Sequence, residues 1–188
     1  MRGLIDVDWS KIPKPVDDGA ADHLPGLAVP AVLLPSTDGI NVDISTLDGR
    51  CVVYAYPRTG EPGQPLPQDW NLIPGARGCT PQACAFRDHF AELKALGAAS
   101  VFGLSTQDTA YQREVVSRLH LPFPLLSDVA FQLADAIRLP TFMASDMRLL
   151  CRLTMIINSG WIEHVIYPVF PPDQNAQAVI HWLRANPR

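Results

Sequence analysis

The sequence predicts an α/β domain in which helices flank a mixed central β-sheet. Apolar runs of strand length alternate with helical patterns over residues 51–139, an order that is typical of parallel strands joined by crossover helices. Two further apolar runs flank residues 158–160, whose sequence Asn-Ser-Gly favours the turn of an antiparallel hairpin. An amphipathic helix then ends the chain, with an apolar stripe at Ala176, Val179, Ile180 and Leu183.

Each element has its own signal in the sequence. A short hairpin with its turn at residues 38–39 comes first, and CVVYAYP, residues 51–57, has the unbroken apolar run of a central strand. After Cys79 the apolar residues recur every three or four positions, which predicts a helix that Gly97 ends. SVFGLS and FPLLSD predict two more buried strands, each followed by a helix. LLCRLTMIIN and WIEHVIYPV predict the late hairpin, and Asp173 is expected to cap the last helix.

Composition limits the classes of function. The 188 residues suit one domain, and the formal net charge of -4 argues against general binding of nucleic acid, which needs a basic face. No apolar run approaches the length of about 20 residues that a membrane helix requires. The first residues do not resemble a secretory signal, so we expect a cytoplasmic protein. In that compartment the four cysteines are expected to be thiols rather than a disulfide framework.

Two segments lack a regular pattern. Residues 1–24 are polar and contain Pro13 and Pro15, and we interpret them as an N-terminal arm that packs on the surface or is partly disordered. The remaining residues, 25–188, form the predicted domain. Within it, residues 59–78 are rich in proline and glycine, so no regular element is expected there. A loop of this length in a compact domain is usually functional.

Cys79 is the first candidate for chemistry. It follows the glycine-rich loop and begins a helix, where unpaired N–H groups and the helix dipole favour an anion. A thiolate is stabilised at such a position, and the nearby Arg77 adds to the effect. The alternative is that Cys79 is a small buried residue without chemical function. The local sequence does not decide between these two interpretations.

The positions of the other three cysteines indicate whether they can form a disulfide or bind a metal. Cys84 lies five residues after Cys79, a rise of roughly 7.5 Å in an intact helix, whereas a disulfide needs Cα atoms about 4.4–6.8 Å apart. A bond between the two therefore requires the first helical turn to unwind. The alternative is that Cys84 forms no bond and is a core residue without chemical function. Cys51 and Cys151 stand in apparent strands and are expected to be buried thiols. The spacing does not fit a zinc site, and His89 is interpreted as a surface histidine.

Four ordered motifs resemble the peroxiredoxins, and among them the peroxiredoxin Q or bacterioferritin comigratory protein group. These motifs are YAYP at 54–57, GCTPQACAFRD at 78–88, the FGLSTQD and FPLLSD segments, and CRLTMIINSGWIEHV from residue 151. The resemblance runs from about Leu24 to the C-terminal helix. It implies a thioredoxin-like fold and a thiol peroxidase that needs no metal or organic cofactor.

The resemblance also assigns roles to residues. Cys79 would be the peroxidatic cysteine, which attacks hydrogen peroxide or an alkyl hydroperoxide and becomes a sulfenic acid. Arg152 would favour the thiolate and bind the peroxide. Cys84 would be the resolving cysteine, and a thioredoxin-type protein would reduce the resulting disulfide. The resemblance leaves open whether the protein is a monomer or a homodimer.

The substrate-binding residues implied by the resemblance are Pro57, Thr59, Gly78 and Thr80. The family has a threonine or serine three residues before the peroxidatic cysteine, where this chain has Ala76. The hydroxyl comes from Thr59 if the long loop folds out and returns; otherwise it is absent. The family's glutamate in the helix is Gln82 here, which removes a negative charge near the thiolate.

Two further hypotheses stay open, and the missing threonine motivates the first of them. A thiol–disulfide oxidoreductase or redox sensor would use Cys79 and Cys84 without rapid peroxide chemistry. A non-catalytic binding module on a peroxiredoxin scaffold would use the long loop, with Trp70 recognising a partner or an apolar ligand.

Overall fold

The computed structural model describes residues 7–187 as an α/β fold of nine strands and five α-helices within those residues. In chain order these are β1 (Leu33–Pro35), β2 (Asn41–Asp43), β3 (Arg50–Ala55), α1 (Cys79–Asp88), α2 (Phe90–Ala95), β4 (Ala98–Ser105), α3 (Thr109–Leu119), β5 (Leu125–Ser127), α4 (Gln132–Ala136), β6 (Thr141–Ala144), β7 (Met147–Leu150), β8 (Leu153–Asn158), β9 (Trp161–Ile166) and α5 (Asn175–Ala185).

The central sheet is mixed, as the sequence predicts. Its five strands have the order β5-β4-β3-β8-β9. Strands β3, β4 and β5 are parallel, while β8 is antiparallel to both β3 and β9. Ala55, the last residue of β3, pairs with Leu153, the first residue of β8. The chain therefore leaves β3 and enters β8 at the same edge of the sheet.

Both faces of β3 are buried, which explains its unbroken apolar run. Val53 and Ala55 belong to the core on one face of the sheet. Val52 and Tyr54 belong to the core on the other face, which also contains the buried residues of α1 and α5. The Tyr54 ring stacks on Phe86 of α1, with ring centroids 4.3 Å apart. The apolar stripe predicted for the last helix is fully buried in this second core.

Three details of the predicted elements are wrong. The helix after Cys79 is two helices with His89 between them, because His89 leaves the helical conformation (ψ 6°). The segment LLCRLTMIIN is two strands, because β7 pairs with β6 in a separate sheet while β8 joins the central one. Cys151 thus lies between strands and is half-buried. Asp173 does not cap α5; its carboxylate accepts a hydrogen bond from Trp9 Nε1 at 2.9 Å.

The described part of the N-terminal arm is packed on the domain. The Trp9 ring meets Phe170 edge-on, with centroids 6.1 Å apart. Ala21 and Leu24 are buried in the core on the α4 side of the sheet. The start of the arm lies outside the described residues, and the boundary between residues 24 and 25 stays a prediction. Among residues 7–187, no helix is long and apolar enough to cross a membrane.

The proline-rich loop is folded rather than extended. It contains one short 3-10 turn, Trp70–Leu72, where no regular element was predicted. Trp70 is buried in a small cluster with Ala76, Ala144 and Leu149. Since its side chain is 4% exposed, Trp70 does not present the open aromatic surface that the binding-module hypothesis needs.

Candidate active site

The site forms where the long loop ends and α1 begins. Gly78 precedes the helix with a φ of 111°, which side-chain-bearing residues rarely adopt. A Cβ atom at this position would lie 2.5 Å from Pro172 Cγ and 2.9 Å from Trp9 Cη2. Glycine is therefore required both by the backbone turn and by the close approach of two side chains.

Cys79 is the first residue of α1 and is 5% exposed. Its thiol is 3.7 Å from the carbonyl oxygen of Ala76, to which it donates. The N–H groups of the first helical turn have no partner within the helix, so those of Cys79 and Thr80 are available to an anion at this end. The start of α1 thus directs partial positive charge toward this end of the helix, where the Cys79 sulfur lies.

Arg152 brings a positive charge to the same sulfur. It stands directly before β8, and its Nη2 lies 3.2 Å from Cys79 Sγ. The guanidinium is 3% exposed. Its Nη2 also contacts the three consecutive carbonyl oxygens of residues 75–77 at 3.1–3.3 Å. Its Nη1 donates to Gln82 Oε1 on α1. The end of the loop therefore folds around the guanidinium.

Thr59 reaches the site from the end of β3. Its N–H and its hydroxyl donate to Gln107 Oε1 at 3.0 and 3.1 Å. In return, Gln107 Nε2 donates to the Thr59 carbonyl at 3.2 Å. The Thr59 hydroxyl is thus buried and held in one orientation, with its oxygen still able to accept a hydrogen bond.

A pocket of about 240 Å³ joins Thr59 to Gly78 and Cys79. Both ends of the long loop line it, together with the start of α1 and Val7 of the N-terminal arm. Apolar and basic side chains share its surface. The lining residues are Val7, Arg58, Thr59, Gly60, Leu66, Trp70, Arg77, Gly78, Cys79, Thr80 and Pro81.

Cys84 is buried farther along the same helix. Burial raises the pKa of its thiol, an effect that the neighbouring Arg87 partly offsets. Both cysteines lie in one unbroken helix and both are free thiols. The helical rise of roughly 7.5 Å between them exceeds disulfide geometry, so they can bond only if the helix unwinds.

Comparison with known proteins places the chain in a family. The model of the redoxin family matches residues 24–180. This chain belongs to the redoxin family. Peroxiredoxin Bcp of Escherichia coli is 30% identical over 164 residues, which cover 85% of this chain and 94% of that protein. The chloroplastic peroxiredoxin Q of rice is 32% identical over 162 residues, and the chain spans only 66% of its length.

Solved structures confirm the thioredoxin-like redoxin fold. The crystal structure of peroxidoxin BcpB from Mycobacterium tuberculosis has a TM-score of 0.70 and 26% identity, covering 88% of this chain and all of that one. Peroxiredoxin Q of Xanthomonas campestris has a TM-score of 0.64 over 94% of this chain and 98% of its own. Its identity of 19% supports the fold alone.

Most of the predicted site residues of this redoxin lie together. Cys79, Gly78, Thr80 and Thr59 line the pocket, and Arg152 contacts the Cys79 sulfur. Cys84 lies in the same helix but outside the pocket lining. Pro57 is buried just after β3 and does not line the pocket.

Three residues that shape the site were not predicted from the sequence: Gln107, Trp9 and Asn175, whose Oδ1 accepts a hydrogen bond from Gln82 at 2.8 Å. Gln107 follows β4, and the parallel strands β3 and β4 end at the same edge of the sheet. That register could have linked Gln107 to Thr59. Trp9 and Asn175 carry no such signal, because each reaches the site from a distant end of the chain.

The thiols of the other two cysteines, Cys51 and Cys151, are hard to deprotonate. Burial raises the pKa of Cys51 to about 12. Burial also raises the pKa of Cys151 to about 11, although that side chain is only half-buried. Among residues 7–187, no cluster of three or more histidine, cysteine or acidic side chains could hold a metal ion.

Proposed function

We propose that this protein is a thiol-dependent peroxidase in which Cys79 reduces hydrogen peroxide or alkyl hydroperoxides. One observation carries the proposal: the Arg152 guanidinium lies 3.2 Å from Cys79 Sγ at the first residue of α1. A cation and free helix N–H groups at one sulfur favour the thiolate, which is the nucleophilic form. Membership of the redoxin family and the peroxiredoxin names of the relatives support the same activity.

In the first step the Cys79 thiolate attacks the terminal oxygen of the peroxide. An S–O bond forms while the O–O bond breaks, so sulfur loses two electrons and the peroxide gains them. Negative charge moves to the departing oxygen, where Arg152 and the first-turn N–H groups can stabilise it. The departing alkoxide or hydroxide takes up a proton, leaving an alcohol or water and a Cys79 sulfenic acid.

Thr59 is proposed to orient the peroxide. Its hydroxyl hydrogen is directed to Gln107, so its oxygen is free to accept the hydroperoxide hydrogen. This arrangement replaces the hydroxyl that is absent at Ala76. Gly78 and Thr80 form the neighbouring wall of the pocket.

In the second step Cys84 resolves the sulfenic acid. Its thiol condenses with Cys79, releasing water and forming a disulfide, after the first turns of α1 unwind. The raised pKa of Cys84 makes it a weak nucleophile while it is buried. Unwinding of the helix therefore brings the two sulfur atoms into contact and makes the Cys84 thiol more reactive. A thioredoxin-type dithiol then reduces the disulfide, and a cytoplasmic location and a monomer or homodimer remain predictions.

Stopped-flow mixing of the reduced protein with hydrogen peroxide and with cumene hydroperoxide tests the proposal. We expect one cysteine to be oxidised far faster than free cysteine, and the Cys79→Ser variant to lose this phase. The Cys84→Ser variant should react at the original rate and accumulate a sulfenic acid that dimedone traps. Oxidation of Cys79 no faster than that of free cysteine would refute the peroxidase and favour the thiol–disulfide oxidoreductase hypothesis.

A further inference from the structure

The Arg152 guanidinium is a buried cation held by neutral groups. Its contacts are backbone carbonyl oxygens, the Gln82 amide and Cys79 Sγ. Among residues 7–187 it makes no ion pair with a carboxylate. A buried cation is disfavoured unless an anion offsets it. The Cys79 thiolate is the anion at hand, so thiolate and guanidinium stabilise each other.

Gln82 holds Arg152 through an amide whose direction is fixed. Gln82 is fully buried, and its Oε1 accepts from Arg152 Nη1. Its Nε2 must then point the other way, where it donates to Asn175 Oδ1 at 2.8 Å. Rotating the amide by half a turn would bring its NH2 group against the guanidinium, donor against donor. The bond to Asn175 therefore keeps the accepting oxygen on Arg152.

Asn175 fixes this direction from the opposite side. It is the first residue of α5 and is 2% exposed. Its Oδ1 also accepts from Thr154 Oγ1 on β8 at 2.8 Å. Two donors converge on one oxygen, so the Asn175 side chain cannot turn without losing both. The network thus ties α5, α1 and β8 together behind the reactive sulfur.

We propose that Gln82 and Asn175 are positioning residues for the peroxidase reaction: they hold Arg152 against Cys79 without neutralising its charge. The inference rests on the proposed function, because it concerns the reactivity of the same sulfur. A carboxylate at position 82 could also accept from the guanidinium, but it could not donate to Asn175 Oδ1. It would also compete with the thiolate for the positive charge, whereas the neutral amide leaves that charge to Cys79.

The near-isosteric variant Gln82→Glu tests the charge. A carboxylate beside Arg152 disfavours a second anion at Cys79, so more alkaline conditions are needed to form the thiolate. We expect the pH at which peroxide oxidation is half-maximal to rise by about one unit, with a rate about tenfold lower at neutral pH. Stopped-flow oxidation between pH 4 and 9 measures both quantities.

The variant Asn175→Ala tests the positioning. It removes the acceptor that fixes Gln82, so Arg152 loses its set direction and we expect oxidation about fivefold slower. The half-maximal pH should again rise. Gln112→Glu is the matched control, because Gln112 is an equally buried amide on α3 that contacts Ser105 and Leu126 rather than Arg152. It should lower thermal stability and leave the half-maximal pH unchanged.

The outcomes separate this inference from the proposed function. If the original protein reacts rapidly with peroxide but Gln82→Glu keeps the original pH profile, the positioning inference is wrong. An equal shift in Gln112→Glu would also overturn it, because any buried carboxylate would then have the effect. If Asn175→Ala does not fold, Gln82→Glu alone decides. Slow oxidation of the original protein would instead refute the peroxidase itself.

Discussion

The two cysteines of α1 are both buried but differ in the groups that surround their sulfur atoms. Cys79 meets a guanidinium and unpaired N–H groups at the helix start. Cys84 lies five residues on in the same core cluster as Cys79, where burial raises the pKa of its thiol and Arg87 only partly offsets this. Neither can reach the other while the helix is intact. One helix can therefore activate Cys79 and also keep Cys84 out of reach until Cys79 has reacted.

Removing the Arg152 guanidinium should reduce the difference in reactivity between Cys79 and Cys84 more than any other change. In Arg152→Met the sulfur keeps its helix position but loses the guanidinium at 3.2 Å. We expect the second-order rate of Cys79 oxidation by peroxide to fall by about 10²–10³-fold. Stopped-flow measurement at neutral pH checks this value. Arg113→Met serves as the control, because Arg113 is an exposed arginine that donates to the Thr37 carbonyl. A loss of less than threefold in Arg152→Met would contradict the assigned role.

Alkylation should expose the contrast between the two thiols directly. With iodoacetamide at pH 7, we expect Cys79 to react at least ~10-fold faster than Cys84, because the raised pKa of Cys84 leaves little thiolate. As the pH rises, the Cys84 thiolate forms and the gap narrows. Both residues fall in one tryptic peptide, so fragment ions must locate the label. In urea the preference should vanish; its persistence there would show that packing does not cause it.

The sequence predicts the different positions of Cys79 and Cys84 on the helix, but not the residues that hold Arg152 and Thr59 in place. Cys79 at a helix start, and the spacing that forbids an intact-helix disulfide with Cys84, follow from the local pattern. The pairing of Ala55 with Leu153 sets Arg152 beside the loop, and only long-range register decides that. No local rule predicts that Asn175 directs Gln82 from the far end of the chain. Thr59 lines the pocket and is held by a bond to Gln107 that periodicity cannot show, and its role toward the peroxide stays a prediction.

Thr59 should contribute a smaller effect than Arg152. The Thr59→Val variant keeps the shape of the side chain and removes the hydroxyl that we propose for peroxide binding. We expect Cys79 oxidation to slow by about tenfold. Thr59→Ser restores the hydroxyl and should restore most of the rate. If valine and serine behave alike, Thr59 acts only through packing, and another group must orient the peroxide.

The smallest expected effect concerns how easily α1 unwinds. Trp9 lies against Gly78 and is anchored to Asp173 at 2.9 Å, so the start of the helix cannot open without displacing the indole. In Trp9→Ala we expect the disulfide between Cys79 and Cys84 to form about threefold faster, since a surface contact of this kind contributes roughly 0.5–1 kcal/mol.

Stopped-flow fluorescence after one equivalent of peroxide resolves sulfenic acid formation from disulfide formation in the Trp9→Ala protein. Trp161→Ala is the matched control, because Trp161 is exposed on β9. The first phase should keep its rate in both variants, since the Trp9 indole donates to Asp173 and Trp161 is exposed on β9. Faster resolution also leaves less time for a second peroxide to oxidise the sulfenic acid, so Trp9→Ala should resist inactivation at high peroxide. If resolution is unchanged while the thermal midpoint falls, the arm stabilises the fold without restraining α1, and the separation of the two cysteines is a property of the helix alone.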